Sequence, residues 1–299
     1  MRGKRRKERM ILKNATLHIG NGEVFQGDMR IADGKIVEVG KNINGDESRS
    51  LNGKHVFPGF IDSGNFLGAQ DMAFFAKDYN ENSNPVTPYL DIWYSIDPDE
   101  LSLQELYKAG ITSMLVTPGN EGILGGTCTV VKTKGKNINK ITVKRDAAMK
   151  ASMTSEVIRV FSGKGSPQTP MALIAMLKTA LQTTEYANDY RSQRTKEVMD
   201  AVREGRMPIL VACETAPEME RFLEATKEYT KMKIIFTLSY EADRCADAIK
   251  KRGAAVVLGD TSRNATHLVH RMDFAKLMNM AEDGTKVGLT VLGPNMAWG

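Results

Sequence analysis

The side chains best able to bind a transition metal or to pair as nucleophile and base are sparse here. There are four histidines (His18, His55, His267, His270) and three cysteines (Cys128, Cys213, Cys245). The cysteines are odd in number and far apart. That spacing gives neither a disulfide framework nor a Cys-x-x-Cys zinc site, and it reads as reduced thiols of a cytoplasmic protein. Cys213 closes an apolar run with no histidine beside it, which reads as an inert buried thiol. His18 and His55 lie in a β-prone region and read as surface or hydrogen-bonded residues. His267 and His270 could share one helix face in "DTSRNATHLVHRMD", near Asp260 and Asp273, but no acidic partner stands at a fixed spacing. Glu214 stands at the end of one expected strand and Glu156 near the end of another, and the two could form an acid/base or polar binding pair. The glycine-rich "PGNEGILGG" (118–126) lacks the Lys-Ser/Thr ending of a P-loop and opens no helix, so it reads as turn chemistry.

The elements that must position these residues change character near Pro58. Before it, "ILKNATLHI", "DMRIADGKIVEVG" and "KHVFPGF" are short β-prone stretches separated by Asn-Gly and Asp-Gly turns. After it, apolar runs alternate with amphipathic helical stretches. Strands are expected near 56–61, 111–116, 127–133, 147–152, 207–213, 233–239, 254–258 and 286–292. Helices are expected at 101–110, 170–205 with one break, 217–229, 242–253 and 273–284. Repeated units of this kind imply a parallel sheet with helices packed outside it, and eight strands favour a TIM-like (β/α)8 barrel. The expected organisation is therefore a basic disordered tail at 1–9, a small β-sandwich portion at 10–57 and a barrel at 58–299.

In this order, "ILKNATLHIGNGEVFQGDMRIADGKIVEVG", "HVFPGFIDSGNFLG", "NPVTPYLDIWYSIDPDE", "AGITSMLVTPGNEGILGGTCTVVKTKGK" and "DAAMK" resemble the amidohydrolase superfamily, and within it the imidazolonepropionase-like bacterial amidohydrolases. The resemblance spans roughly residues 10–294. It implies a distorted TIM barrel holding one or two divalent metals, zinc or a similar ion. It also implies a small β-sandwich completed by a C-terminal segment, which these residues do not include. The final barrel helix is expected to be absent as well, because only "PNMAWG" follows the last expected strand. In the family, imidazoles and a carboxylate at strand ends hold the metal, which acidifies bound water and polarises the scissile carbonyl. An Asp on the last strand moves the proton.

Carried over residue by residue, the resemblance implies a degenerate site. The first strand would end in Asp-x-His-x-His; here Asp62 is present, but Gly64 and Phe66 fill the histidine slots. The acidic ligand position falls on Ser155, with Glu156 next to it. The fifth-strand histidine falls on Ala212, the sixth-strand histidine on Leu238 and the catalytic Asp on Leu292. No catalytic residue, metal ligand or cofactor is therefore expected, and the barrel mouth is expected to be repacked as hydrophobic core. Asp62, Asn65, Asn120, Glu156 and Glu214 are the candidates for residual binding.

Charge restricts the partners. The net charge is +5, and residues 1–10 hold six Lys/Arg and one Glu, so the rest is near neutral. This run reads as a tail or an upstream start, with Met10 as the natural beginning, and no other basic face points to nucleic acid. No apolar h-region follows it, and no run approaches a membrane span. Three readings follow. One is a pseudoenzyme with a binding or subunit-type role, as a homo- or hetero-oligomer, with an active relative as one candidate partner. A second is a hydrolase of cyclic amides using displaced ligands such as Glu156, Glu214, His267 or His270. The third is a truncated, decayed gene product.

Overall fold

The computed structural model describes residues 9–45, 47–70, 77–258 and 273–290. The basic run before Arg9, and Asp260, His267, His270 and Leu292, lie outside the described residues. The chain divides into two compact units, Met1–Phe60 and Ile61–Gly299.

The first unit is a five-stranded sheet. Its strands are β1 (Arg9–His18), β2 (Val24–Ala32), β3 (Lys35–Gly40), β4 (Ser48–Ser50) and β5 (His55–Val56), in the order β3-β2-β1-β4 with β5 also on β1. Asp33 and Gly34 both take positive φ (51° and 73°), the conformation a tight two-residue hairpin requires, so β2 and β3 pair antiparallel across them. Ala15, Leu17 and Met29 form its small core. His18 and His55 are both partnered on this sheet: their Nε2 and Nδ1 atoms lie 2.8 Å apart, and the Phe57 ring stacks on His18 at 4.0 Å.

The second unit is built on an eight-stranded sheet. Its elements run β6 (Phe60–Asn65), α1 (Leu101–Lys108), β7 (Ile111–Val116), β8 (Leu124–Lys132), α2 (Ile138–Ile141), β9 (Thr142–Ser152), α3 (Ser155–Phe161), α4 (Pro170–Gln182), α5 (Tyr190–Arg203), β10 (Ile209–Cys213), α6 (Ala216–Ala225), β11 (Ile234–Leu238), α7 (Ala246–Arg252), β12 (Ala255–Leu258), α8 (Phe274–Glu282) and β13 (Val287–Leu289). The strands neighbour one another in sequence order from β6 to β13. The two ends of the sheet meet through side chains: the Thr290 hydroxyl, just past β13, donates to the Asp62 carboxylate of β6, 3.0 Å from its nearer oxygen. Gly288 allows the approach, since a Cβ there would lie 2.7 Å from Ser63 Oγ. The result is a nearly closed barrel, as the strand–helix alternation predicts.

One strand departs from that expectation. β8 runs antiparallel to both β7 and β9, whereas β9 to β13 are all parallel. The reason is local. Residues 117–123 between β7 and β8 are too few for a helical crossover, so the chain turns back as a hairpin. The "PGNEGILGG" turn chemistry makes that reversal.

Alternation along the strands fixes two cores. Ile209, Val211 and Cys213 of β10 face outward with Phe236, Val256 and Leu258, and pack on Leu173, Leu177, Val198, Val202, Met219, Phe222 and Ile249 of the helices. Every residue of β10 is buried, as expected of a strand covered on both faces. Leu210 points inward, in a small cluster with Cys128, Ala148, Leu115 and Ile235. The long helical stretch breaks as the sequence suggests. α4 starts on Pro170 with Thr169 accepting from the Ala172 N–H, and α5 restarts where Asp189 accepts from the Ser192 N–H.

Candidate binding site at the C-terminal ends of the barrel strands

In barrels of this type the loops after the parallel strands build the site. Asn65 closes β6, and its carbonyl accepts from the Thr117 N–H beyond β7, so those two strand ends lie side by side. Asp62 is buried, and besides Thr290 its Oδ1 accepts from the Gly64 N–H at 2.9 Å. Gly64 has φ +150°, and a Cβ there would touch Leu210, Thr117 and Leu115 at 3.4–3.9 Å, so it faces the barrel interior. Phe66 lies just beyond, its ring stacked on Tyr79 at 4.2 Å. Both belong to the outer cluster of Leu103, Met114 and Val116. Asn65 is buried; its Oδ1 accepts from the Leu67 N–H, and its Nδ2 has no partner among the described residues.

The remaining positions divide. Ala212 is fully buried and pairs in register with Ser152. Leu238 ends β11 at φ +69°, and Ser239 follows at φ +34°. Two consecutive side-chain-bearing residues in this region store strain at the strand end. The Ser239 hydroxyl is buried with no hydrogen-bond partner among the described residues. Ser155 is exposed and opens α3, which places it in a helix first turn.

The acidic residues form a group. Glu156 is paired with Arg159, whose guanidinium holds the carboxyl below its ordinary value. Burial pushes the Glu214 carboxyl up to about 7, and the neighbouring Glu218 and Glu156 carboxylates add to the rise. Glu218 Oε2 accepts from the Glu214 and Thr215 N–H groups at 2.6 and 3.2 Å, and Glu241 Oε2 accepts from Ala216 N–H at 3.1 Å. These carboxylates thereby cap the first turn of α6. Glu121, buried in the β7–β8 turn, accepts from Asn82 Nδ2 at 2.7 Å and pairs with Lys77. Tyr79 stands between these groups; burial and the charges of Glu121 and Glu156 push its hydroxyl up to about 12.

Of the expected residues, Glu156 is thus close enough to Glu214 to add to the rise of its carboxyl. Asn120 is drawn to a residue that the sequence alone does not single out. Lys150, on β9 opposite Leu210, is buried in the barrel, and its ammonium donates to Asn120 Oδ1 at 2.6 Å and to Ala151 carbonyl at 3.1 Å. A lone lysine inside the otherwise apolar "AAMKAS" was the available signal. The interior near this end is accordingly mixed, with Lys150, Ser152, Asp62 and Thr117 buried alongside Leu210 and Ala212.

Among the described residues, the donor set at these strand ends does not fit a zinc-type ion. Among the described residues, no group of three or more His, Cys, Asp or Glu is placed to hold a metal. Glycine, phenylalanine, alanine and leucine offer no side-chain lone pair at Gly64, Phe66, Ala212 and Leu238.

Compared with solved structures, the chain is similar to an amidohydrolase from Thermotoga maritima MSB8, with a TM-score of 0.86 and 21% identity over 96% of this chain and 79% of that one. The chain has the amidohydrolase barrel fold. A dihydroorotase (TM-score 0.43, 13% identity, 96% of this chain and 73% of that one) and a metal-dependent hydrolase from Pyrococcus horikoshii OT3 (0.41, 11%, 96% and 83%) superpose too loosely to add to this assignment. No family profile and no curated protein matches. Among the described residues, no helix is long and apolar enough to cross a membrane.

Proposed function

We propose that this chain keeps the amidohydrolase framework without its metal chemistry and serves as a binding or subunit-type protein, as copies of itself or beside an active relative. One observation carries the reading: the strand ends where the resemblance calls for imidazoles hold Gly64, Phe66, Ala212 and Leu238, and the Phe66 ring is committed to its stack on Tyr79. A divalent ion buried among such groups would lose its hydration and gain no ligands, which is prohibitive. The polar groups that remain, Asp62, Asn65, Asn120, Glu156 and Glu214, suit recognition of a small polar ligand.

Calorimetric titration of the purified chain with zinc and manganese tests the first half. The expected result is no stoichiometric binding; a tight equimolar site together with hydrolysis of a cyclic amide overturns it. Sedimentation tests the second half. A monodisperse assembly is expected, whereas polydisperse aggregate contradicts a maintained subunit role.

A further inference from the structure

We infer that Lys150 is a carbonyl-reactive amine, and that the strand end around it takes a small aldehyde or ketone as an imine. The inference starts from where the lysine is. It lies on β9 with its side chain in the barrel interior, 3% exposed, between Gly126 of β8 and Leu210 of β10. An ammonium has three donors to satisfy. Here two neutral oxygens take two of them, and no carboxylate among the described residues pairs with it. A buried cation without an anion is held there at a cost, and the chemistry that relieves the cost is loss of the proton.

The titratable groups nearest it, one inside the barrel and one on the outer face of β10, do not restore the charge. Cys128 of β8 and Cys213 of β10 are its titratable neighbours, and burial pushes both thiols up, so neither is an anion near neutral pH. The amine is accordingly lowered to about 8 by its burial. Asn120 is its link to the mouth: it is only half-buried in the 117–123 turn, so the ammonium lies one hydrogen bond from a side chain in contact with solvent.

The step balances without any further reactant. The nitrogen lone pair forms a C–N bond to the carbonyl carbon. The two N–H hydrogens leave with the carbonyl oxygen as water, and the C–O bond breaks. A dry interior favours the imine by excluding the water that would reverse it.

The test uses the full chain at pH 7 with glycolaldehyde as the probe and cyanoborohydride to trap the imine, followed by peptide mass mapping. A lysine at about 8 holds roughly a tenth of its population as free amine at pH 7, against well under a thousandth for an exposed lysine. Lys150 is therefore expected to be labelled at least tenfold faster than any other lysine and on the scale of the N-terminal amine, with a rate that rises to half its maximum near pH 8. Lys150→Met removes that adduct. Asn120→Ala, which leaves the amine in place and removes the side-chain acceptor that holds its proton, speeds the labelling, so the inference stays testable if the lysine variant does not fold. Label spread over surface lysines with Lys150 spared, or Lys150 labelled only after denaturation, overturns it. A metal-free protein with an inert Lys150 would leave the proposed function standing and remove this inference alone.

Discussion

Replacing Glu214 by glutamine should stabilise the protein in a pH-dependent way. The folded carboxyl titrates at about 7, whereas the free side chain titrates at 4.5, because burial and the carboxylates of Glu218 and Glu156 disfavour its charge. Below 4.5 both states carry the proton and the residue costs nothing. As pH rises towards 7 the unfolded chain gives up its proton freely and the folded chain does not, so stability falls across that window and stays low above it. At about 1.4 kcal/mol per tenfold change in proton affinity, the full interval corresponds to roughly 3.5 kcal/mol. Glu214 is only half-buried, and water screens the repulsion, so about 1–2 kcal/mol is expected in practice. The assay is urea unfolding of both proteins at pH 5 and pH 8, followed by circular dichroism. Glu214→Gln should gain about 1 kcal/mol more at pH 8 than at pH 5. An equal difference at both values would refute the raised carboxyl at this strand end, which burial causes first and the neighbouring carboxylates second.

Other outcomes follow from the same contacts. Phe66→Ala removes a half-buried ring from its stack on Tyr79 and should cost about 2 kcal/mol, below the usual range for fully buried phenylalanine; an effect under about 0.5 kcal/mol in urea unfolding would contradict its role as packing. Gly205→Ala should cost well over 1 kcal/mol, because φ is +72° and a Cβ would sit 2.1 Å from the Lys231 carbonyl oxygen; Gly253→Ala, at φ +66° with open space around it, should cost only about 1 kcal/mol in the same assay. The three buried cysteines, with Cys128 and Cys245 pushed up to about 12 by burial, should not react with a chromogenic disulfide in the native state and should all react in urea; a fast native thiol would place one of them at the surface.

Most barrel elements were legible because their physics is local. The apolar run "ILVAC" bounded by Pro208 and Glu214 can be satisfied only by a strand covered on both faces, and Gly110, Gly205 and Gly253 stop helices where φ turns positive. The reversal of β8 was less legible. It depends on how short the 117–123 connection is, and a period-2 pattern reads the same in either direction. The site divides along the same line. Type alone shows that Gly64, Phe66, Ala212 and Leu238 carry no ligand atoms. Bringing Asn120 to Lys150, Phe66 to Tyr79 and Glu156 near Glu214 requires closing the sheet, because each pair comes from separate strands or loops. Lys150 is illegible for a related reason: a single lysine in a strand has no sequence partner, and its significance comes from the Asn120 amide in a separate turn and the thiols on neighbouring strands.

Elemental analysis of the purified full-length protein, prepared without chelator in medium containing zinc, manganese and iron, tests the central claim most directly. The account predicts less than a tenth of an equivalent of any of these metals per chain, together with no turnover of a panel of cyclic amides. One or two equivalents of a divalent metal that survive dialysis, with hydrolysis of any member of the panel, would contradict it.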